Sequence, residues 1–592
     1  MEPDFEKKLG GRGLRVLAPM AGLLFCLGCQ AGSGGRDEPV LVDRAVETGL
    51  EFDHVNGMSG EYYFSEMAGP GVALFDAEGD GDLDVYLVQG HPLGREESAD
   101  LPSDRLFPRD RLFRNDLVGD ADGELRFTDV TEESGLDARQ YGMGVATGDV
   151  NRDGLPDLYL TNFGPNQLWL NRSGSETLSF REITGESGTE DERWSSSAAF
   201  LDFDRDGWLD LYVVNYTDFR LANHKLCHNT QGAPEYCGPR SYRPESDRLF
   251  RNLGLEEGTP RFADVTAEAG ILGSPAAGLG VVTGDFDGDG WIDIYVANDQ
   301  ALNQLWRNLG DGTFHDEALM RGAAVDAQGR PQASMGVDAA DVDGDGDLDL
   351  FMTHLLSETN TLYLNDGQGI FTEQTIAAGL ASPSLPFTGF GTAFFDLDND
   401  GWLDLLAVNG EVRTISDQRL AGEALPLRQP NQLFRNAGES AALLFEDWTP
   451  RAPVLGEALV SRGLAVGDLD NDGDADLVVQ NNEGPAQLLI NQIGQQNGWL
   501  GIRAVDEAGR VQLGARVTLH VDDSRRLLRG VGRDGSYLSA NDPRVLFGLG
   551  SESGAGPYEA EVFWPDGGRE RFVGLRAERY QDLVEGEGES LE

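Results

Sequence analysis

One nine-residue pattern recurs seven times in this chain, and seven copies of a single loop constrain the fold more than any bulk property does. The copies read DAEGDGDLD from Asp76, DVNRDGLPD from Asp149, DFDRDGWLD from Asp202, DFDGDGWID from Asp285, DVDGDGDLD from Asp341, DLDNDGWLD from Asp396 and DLDNDGDAD from Asp468. Successive starts lie 53 to 83 residues apart. The shortest intervals define the repeating unit, and the longer ones carry insertions.

The spacing has a mechanical meaning. Oxygen ligands at positions 1, 3 and 5 of a tight loop converge on one cation, glycine at position 6 allows the sharp turn, and position 7 can offer its backbone carbonyl. An aspartate at position 9 completes the set. The candidate ligands are Asp76, Glu78, Asp80 and Asp84; Asp149, Asn151, Asp153 and Asp157; Asp202, Asp204, Asp206 and Asp210; Asp285, Asp287, Asp289 and Asp293; Asp341, Asp343, Asp345 and Asp349; Asp396, Asp398, Asp400 and Asp404; Asp468, Asp470, Asp472 and Asp476. All but Asn151 are carboxylates. Hard oxygen donors without His or Cys point to Ca²⁺, up to seven ions, over zinc or copper. A single Asp/Gly turn would be an ordinary hairpin connection. Seven copies, each crowding about four like charges, call for a cation. The residues after each loop do not read as a helix: DLYLTN, DLYVVN, DIYVAN, DLFMTH and DLLAVN are β-type runs. An EF-hand is therefore disfavoured, and a calcium loop between two strands is expected.

Each unit holds more than its loop. GVALFD, GVATGD, GVVTGD or GLAVGD leads in, N-Q-L-W-L-N or RLFRN comes after the second strand, and F-x-D-V-T closes the unit at Phe127–Thr131 and Phe262–Thr266. Four short strands per unit make a propeller blade, which buries both faces only against its neighbours. The unit at Asp468 lacks F-x-D-V-T, and an unpartnered equivalent, LVDRAVETGL, stands at Leu41–Leu50. The N-terminal strand is therefore expected to complete the last blade, the alternative being Trp499–Arg503. The expected fold is all-β: a seven-bladed β-propeller followed by a small C-terminal β domain.

The chain of 592 residues carries 102 acidic and 46 basic residues, a formal charge of -56. That surface argues against nucleic acid. Disorder is argued against by a 40% hydrophobic content arranged in short ordered runs. At the N-terminus, Lys7, Lys8, Arg12 and Arg15 precede the apolar stretch Val16–Leu27, which has signal-peptide length. It ends in Cys26-Leu27-Gly28-Cys29 and a Gly/Ser-rich tether. This resembles a bacterial lipobox with Cys29 as the lipidated residue, although Cys26 stands where leucine is usual. A plain signal peptide is the other reading. The expected divisions are 1–28 lipoprotein signal peptide, 29–39 tether, 40–493 propeller, 494–585 C-terminal β domain and 586–592 acidic tail. The expected location is the cell envelope, lipid-anchored at an outer membrane or cell surface, or otherwise the secreted fraction.

On these residues the loops and blades resemble FG-GAP/VCBS repeats, the kind seen in integrin α-subunit propellers. The tail resembles the ASPIC/UnbV domain through NGWLGIR from Asn497, GARVTL from Gly514, GSYLSANDPRVLFGLG from Gly535 and VFWPDG from Val562. The whole is similar to the family named after cartilage acidic protein. The resemblance implies a calcium-binding, secreted or surface, adhesion-type protein.

Insertions point to a binding face. Loops between first and second strands share one face of a propeller, and turns between second and third strands share the other. The longest insertions, Gly90–Asp110, Tyr216–Asp247 and Glu411–Pro430, all belong to the second group. In the middle one, Cys227 and Cys237 enclose a short loop and are expected to form a disulfide. Tyr216, His228, Tyr236 and Tyr242 give that insertion aromatic and polar material for gripping an extracellular or envelope glycan or protein; a stapled lid over a neighbouring blade is the plainer reading. No G-x-S-x-G, H-E-x-x-H or P-loop motif occurs. No catalytic residue is therefore assigned, and a binding or adhesion module is expected. A calcium-dependent, lyase-like polysaccharide enzyme and a structural envelope-assembly component are the alternatives.

Overall fold

The computed structural model describes residues 39–591 except 95–107, 118–122, 175–176, 439–442, 523, 552–553 and 555. Cys26, Cys29 and the leader lie outside the described residues. Among the described residues no helix is long and apolar enough to cross a membrane.

The architecture is all-β, and among the described residues the repeats form seven four-stranded antiparallel sheets. Blade 1 runs Val72–Phe75, Asp84–Leu87, Arg111–Asn115, Phe127–Asp129, and blade 2 runs Gly142–Gly148, Asp157–Asn162, Gln167–Asn171, Phe180–Glu182. Blades 3 to 6 repeat the pattern from Ser195, Gly278, Val337 and Gly389. Blade 7 takes Ser461–Gly467, Asp476–Asn481 and Gln487–Asn491, and its fourth strand is Leu41–Asp43, paired antiparallel with Gln487–Asn491. Trp499–Arg503, the other candidate for that place, lies in Gly498–Val505 of the C-terminal domain. The first strands touch one another in cyclic order from blade 1 through blade 7 and back to blade 1. Second strands are buried along their whole length; Asp157–Asn162 and Asp210–Asn215, for example, have apolar centres between an aspartate and an asparagine. That explains their unbroken Leu/Tyr/Val runs: each face packs on the adjacent blade.

The C-terminal domain has a three-stranded sheet, in which Gly498–Val505 pairs with Val545–Gly550 and runs parallel to Tyr580–Val584. A five-stranded sheet is built around Arg516–His520 and Tyr558–Phe563. Leu500, Ile502, Val517, Phe547 and Trp564 share one apolar cluster with Leu168, Phe200 and Phe250 of blades 2 and 3. The two parts therefore have a common core.

From this domain the segment Gly532–Asp542 enters the propeller axis. Leu74 N–H donates to Ala540 O and Ala540 N–H to Val72 O in blade 1. Val145 of blade 2 donates to Leu538 O, and Leu538 donates to Ser197 Oγ of blade 3. Gly535 donates to Val281 O of blade 4, and Val337 of blade 5 donates to Ser536 O. Tyr537 packs edge-on against Phe390 of blade 6 at 5.0 Å, and Asp542 N–H reaches Val466 O of blade 7. One loop thus touches the first strand of every blade. Ser536 and Leu538 hold positive φ there, 62° and 58°, a conformation L residues adopt only when their surroundings impose it.

Candidate metal centres

The seven loops fold alike because their own carboxylates organise them. The N–H of the position-6 glycine donates to an oxygen of the position-1 aspartate in every loop, at 2.7 to 3.1 Å. Those glycines have φ between 83° and 99°, which only glycine adopts without strain. The position-7 N–H donates to position 5, as in Leu155 to Asp153 and Trp402 to Asp400. Such Asx turns form locally, from the residue types and their spacing alone.

The position-9 aspartates have a further role. Asp84, Asp157, Asp210, Asp293, Asp349, Asp404 and Asp476 are buried. In each, one oxygen accepts the position-2 N–H, and the other accepts the N–H of the asparagine at the fifth position of the third strand, as in Val150 and Asn171 to Asp157. Position 9 is thus a brace between the loop and the blade, and coordination would use its remaining lone pairs. Asp84 and Asp349 do group with positions 1 and 3 of their loops, with ligand atoms within 4.8 Å of one another. In the loops at Asp202 and Asp285 the corresponding groups are positions 1, 3 and 5.

Whether these loops fit a cation is tested by what their oxygens lack. At position 3, Glu78 Oε2, Asp204 Oδ1, Asp343 Oδ1, Asp398 Oδ1 and Asp470 Oδ1 are buried without a hydrogen-bond donor, and so is Asp285 Oδ1 at position 1 of its loop. A buried acceptor with no donor is costly. Six of the seven loops present one. Burial, reinforced by neighbouring carboxylates, pushes Asp341 and Asp396 up to about 7 and Asp202 and Asp468 up to about 6. A dication at the same place would reverse this. The donor set is oxygen only. The residues fit a hard cation.

Third-strand side chains divide the loops into two kinds. Arg251 bonds the outer oxygens of Asp204 and Asp206 at 2.7 and 3.3 Å, Arg307 those of Asp287 and Asp289 at 2.5 and 2.8 Å, and Arg435 those of Asp398 and Asp400 at 2.8 and 2.5 Å. Blades 2, 5 and 7 carry Leu170, Leu364 and Ile490 instead. In blade 1, Arg114 pairs with Asp116.

The asparagine beside each of these residues reads, in the sequence, only as the end of a strand motif. Its side-chain amide ties neighbouring blades together. Asn308 Nδ2 donates to Ile292 O in its own loop and to Phe203 O in the loop before. Asn171 reaches Ala77, Asn252 reaches Val150, Asn365 reaches Phe286, Asn436 reaches Val342, Asn491 reaches Leu397, and Asn115 reaches Leu469 to close the circle. The repeated Asn, seven times at the same offset, is the signal that could have revealed this.

The loop face is not free. Arg516 pairs with Asp285 at 2.9 Å, Tyr580 OH donates to Asp468 Oδ2 at 2.8 Å, Arg529 reaches Gly401 O, and Asn497 reaches Asp398 O. The C-terminal domain therefore sits on several of the acidic loops.

The other ends of the same strands surround a cavity of 490 Å³ on the propeller axis, lined in part by Tyr216, His228, Tyr236, Asp299, Phe390 and Tyr537. Cys227 and Cys237 form the expected disulfide. The stapled insertion is anchored by Glu235, whose carboxylate accepts both the N–H and the hydroxyl of Thr414 in the blade 6 insertion. His228 is exposed, whereas Tyr216 is buried and gives its hydroxyl to Asp299. Tyr242 stands apart from the cavity: its ring stacks on Phe64 at 5.6 Å within a cluster that includes Trp194 and Phe219. Of the first insertion, residues 95–107 lie outside the described residues.

Comparison with known proteins agrees with this architecture. Residues 149–213, 285–352 and 354–407 match the FG-GAP-like repeat, and residues 506–590 match ASPIC and UnbV. Cartilage acidic protein 1 of Xenopus tropicalis is 26% identical over 560 residues, 90% of this chain and 75% of that protein. The Homo sapiens protein of the same name is 28% identical over 515 residues, 84% of this chain and 69% of that one. The chain is thus a propeller of FG-GAP-like repeats joined to a C-terminal ASPIC and UnbV domain, similar along most of its length to cartilage acidic protein 1.

Proposed function

We propose that this protein is an exported, calcium-stabilised propeller that presents a binding face to an extracellular or envelope glycan or protein. The orphaned inner oxygens of the repeated loops carry the calcium part of this reading: oxygen-only, carboxylate-rich sites of this spacing suit Ca²⁺, and FG-GAP repeats often bind calcium. When bound, the ion would offset the repulsion among four acidic side chains and pin the turn. The binding part is supported by the division of labour between faces. The loop face is occupied by the C-terminal domain, while the opposite face has a roofed cavity built from insertions on a rigid scaffold, where recognition residues concentrate. A lipid anchor on Cys29 belongs to the same proposal and rests on the leader sequence; intact-mass measurement of the membrane fraction tests it.

The deciding experiment is thermal unfolding in EGTA, Ca²⁺ and Mg²⁺. A ligand of the folded state stabilises it by about 3 kcal/mol per site at a hundredfold excess over Kd, so several occupied loops give a large rise in Tm. Calcium restores the Tm lost in chelator, and magnesium does so less well. An unchanged melting curve in EGTA would remove calcium from the account.

A further inference from the structure

The axial cavity carries one feature the binding reading does not use. Asp299 lines it, and its two oxygens are treated differently. Oδ2 accepts the Tyr216 hydroxyl at 2.5 Å, which fixes the carboxylate in place. Oδ1 is buried and has no hydrogen-bond donor of good geometry; burial, partly offset by the Tyr216 hydroxyl, the Gln300 side chain and the Arg240 charge, pushes the carboxyl up to about 6. The same cavity is lined by the aromatic rings of Tyr216, Tyr236 and Tyr537, with Met67 and Met335 as apolar fill; the Tyr236 hydroxyl donates to Glu66. Glu235 adds a second carboxylate to the lining, its oxygens already taken by Thr414. The cationic side chain in the lining is Arg413, which is exposed, at the rim. Arg462 lies behind the wall, 3.7 Å from the centre of Phe390, so that ring already serves a cation and is left out of the cage.

A fixed carboxylate with an open acceptor, set among aromatic faces, favours a donor that carries positive charge. The charge gains from the carboxylate and from the ring quadrupoles together, and the gain is larger in a dry site. A neutral hydroxyl would satisfy the acceptor without the second contribution. From this juxtaposition we propose that the cavity binds a primary ammonium group, with Asp299 as its anion and Tyr216, Tyr236 and Tyr537 as its cage. This rests on the reading that this face binds a ligand, and it names the chemistry of that ligand. Tyr537 comes from the axial segment of the C-terminal domain and donates its hydroxyl to Ala68 O. The site is therefore complete only when that domain is docked.

The test is calorimetric titration of the full chain in saturating calcium, using four probes: Nα-acetyl-lysine methylamide, its norleucine counterpart, glucosamine and glucose. The lysine amide or glucosamine is expected to bind saturably, with the matching neutral probe at least tenfold weaker. The two charged arms distinguish a peptide source of the amine from an amino sugar. Asp299→Asn keeps the shape and can still accept from Tyr216; it is expected to weaken the charged probe at least tenfold with Tm nearly unchanged. Tyr236→Phe keeps the ring and is expected to bind within a few fold of wild type, while Tyr236→Ala loses the site. If the neutral probe binds as well as its charged partner, or if Asp299→Asn binds the amine normally, the ammonium assignment is wrong while the binding face stands. If none of the four probes binds, the ammonium assignment falls. If envelope extract also yields no glycan or protein partner sensitive to Tyr236→Ala, the binding face falls with it.

Discussion

Replacing Arg435 by leucine separates two roles that an arginine over one of these acidic loops can have. Leucine is chosen because Leu170 and Leu364 occupy the equivalent place in blades 2 and 5. Arg435 spans Asp398 and Asp400, is 22% exposed, and lies 5.0 Å from the centre of the Trp448 ring. Without calcium, its loss leaves four crowded carboxylates poorly neutralised. A wholly buried pair broken from one side costs about 3–5 kcal/mol and an exposed pair less than about 1, so this partly shielded site is expected to lose about 1–3 kcal/mol in chelator. With calcium the sign reverses. A guanidinium about 6 Å from a dication repels it by ~1.4 kcal/mol even with the dielectric of water, and more at lower polarity. The variant is therefore expected to bind calcium at this loop at least about tenfold more tightly, while its Tm in EGTA falls. Calorimetric calcium titration of both proteins, with melting curves in EGTA and in excess calcium, reads both quantities. Weaker calcium binding in the variant would refute the electrostatic argument: it would mean that Arg435 chiefly holds the inner oxygens in position. Equal affinity together with an unchanged EGTA melt would mean that the bridge is inert.

Buried polar groups give two further outcomes. Asn308→Ala removes bonds to Phe203 O and Ile292 O and one accepted from Gly310 N–H. It is expected to cost about 2–4 kcal/mol and to weaken calcium binding at the loops of blades 3 and 4 together; an effect confined to blade 4 would show that the relay does not couple them. Asp247, which accepts Tyr212 OH and Asn215 N–H, is pushed up to about 7 chiefly by burial. Between its ordinary value of 3.8 and 7 the folded state binds the proton and the unfolded state does not, so stability falls as pH rises through that window and levels off above it. Asp247→Asn mimics the protonated form and is expected to melt above wild type at pH 8, with the margin shrinking steadily as pH falls toward 4, in saturating calcium; a margin that does not change with pH would rule out this titration as the cause.

The amino-acid sequence by itself determined the loops and the blades. Each loop closes through contacts within nine residues, such as Gly154 to Asp149 and Val150 to Asp157, so residue type and spacing suffice. Strand runs bounded by those loops show the blade, and the unpartnered strand at Leu41 shows the closure, because a missing fourth strand is visible by counting. Tertiary structure decided the rest. The Asn308 to Phe203 bond joins residues 105 apart; the asparagine is plain in the sequence, but its partner is set by how blades stack. Arg435 and Leu364 share a position yet differ in effect, because only the folded blade brings the guanidinium over two carboxylates. The motif from Gly535 was legible as a resemblance, whereas its passage along the axis depends on a ring that exists only once all seven sheets have assembled. Tyr216 and Tyr242 looked equivalent in one insertion; the second packs on Phe64 and Phe219 and is not part of the cavity lining, whereas the first, packed on Phe64 and Trp194, stands on the cavity wall and holds Asp299.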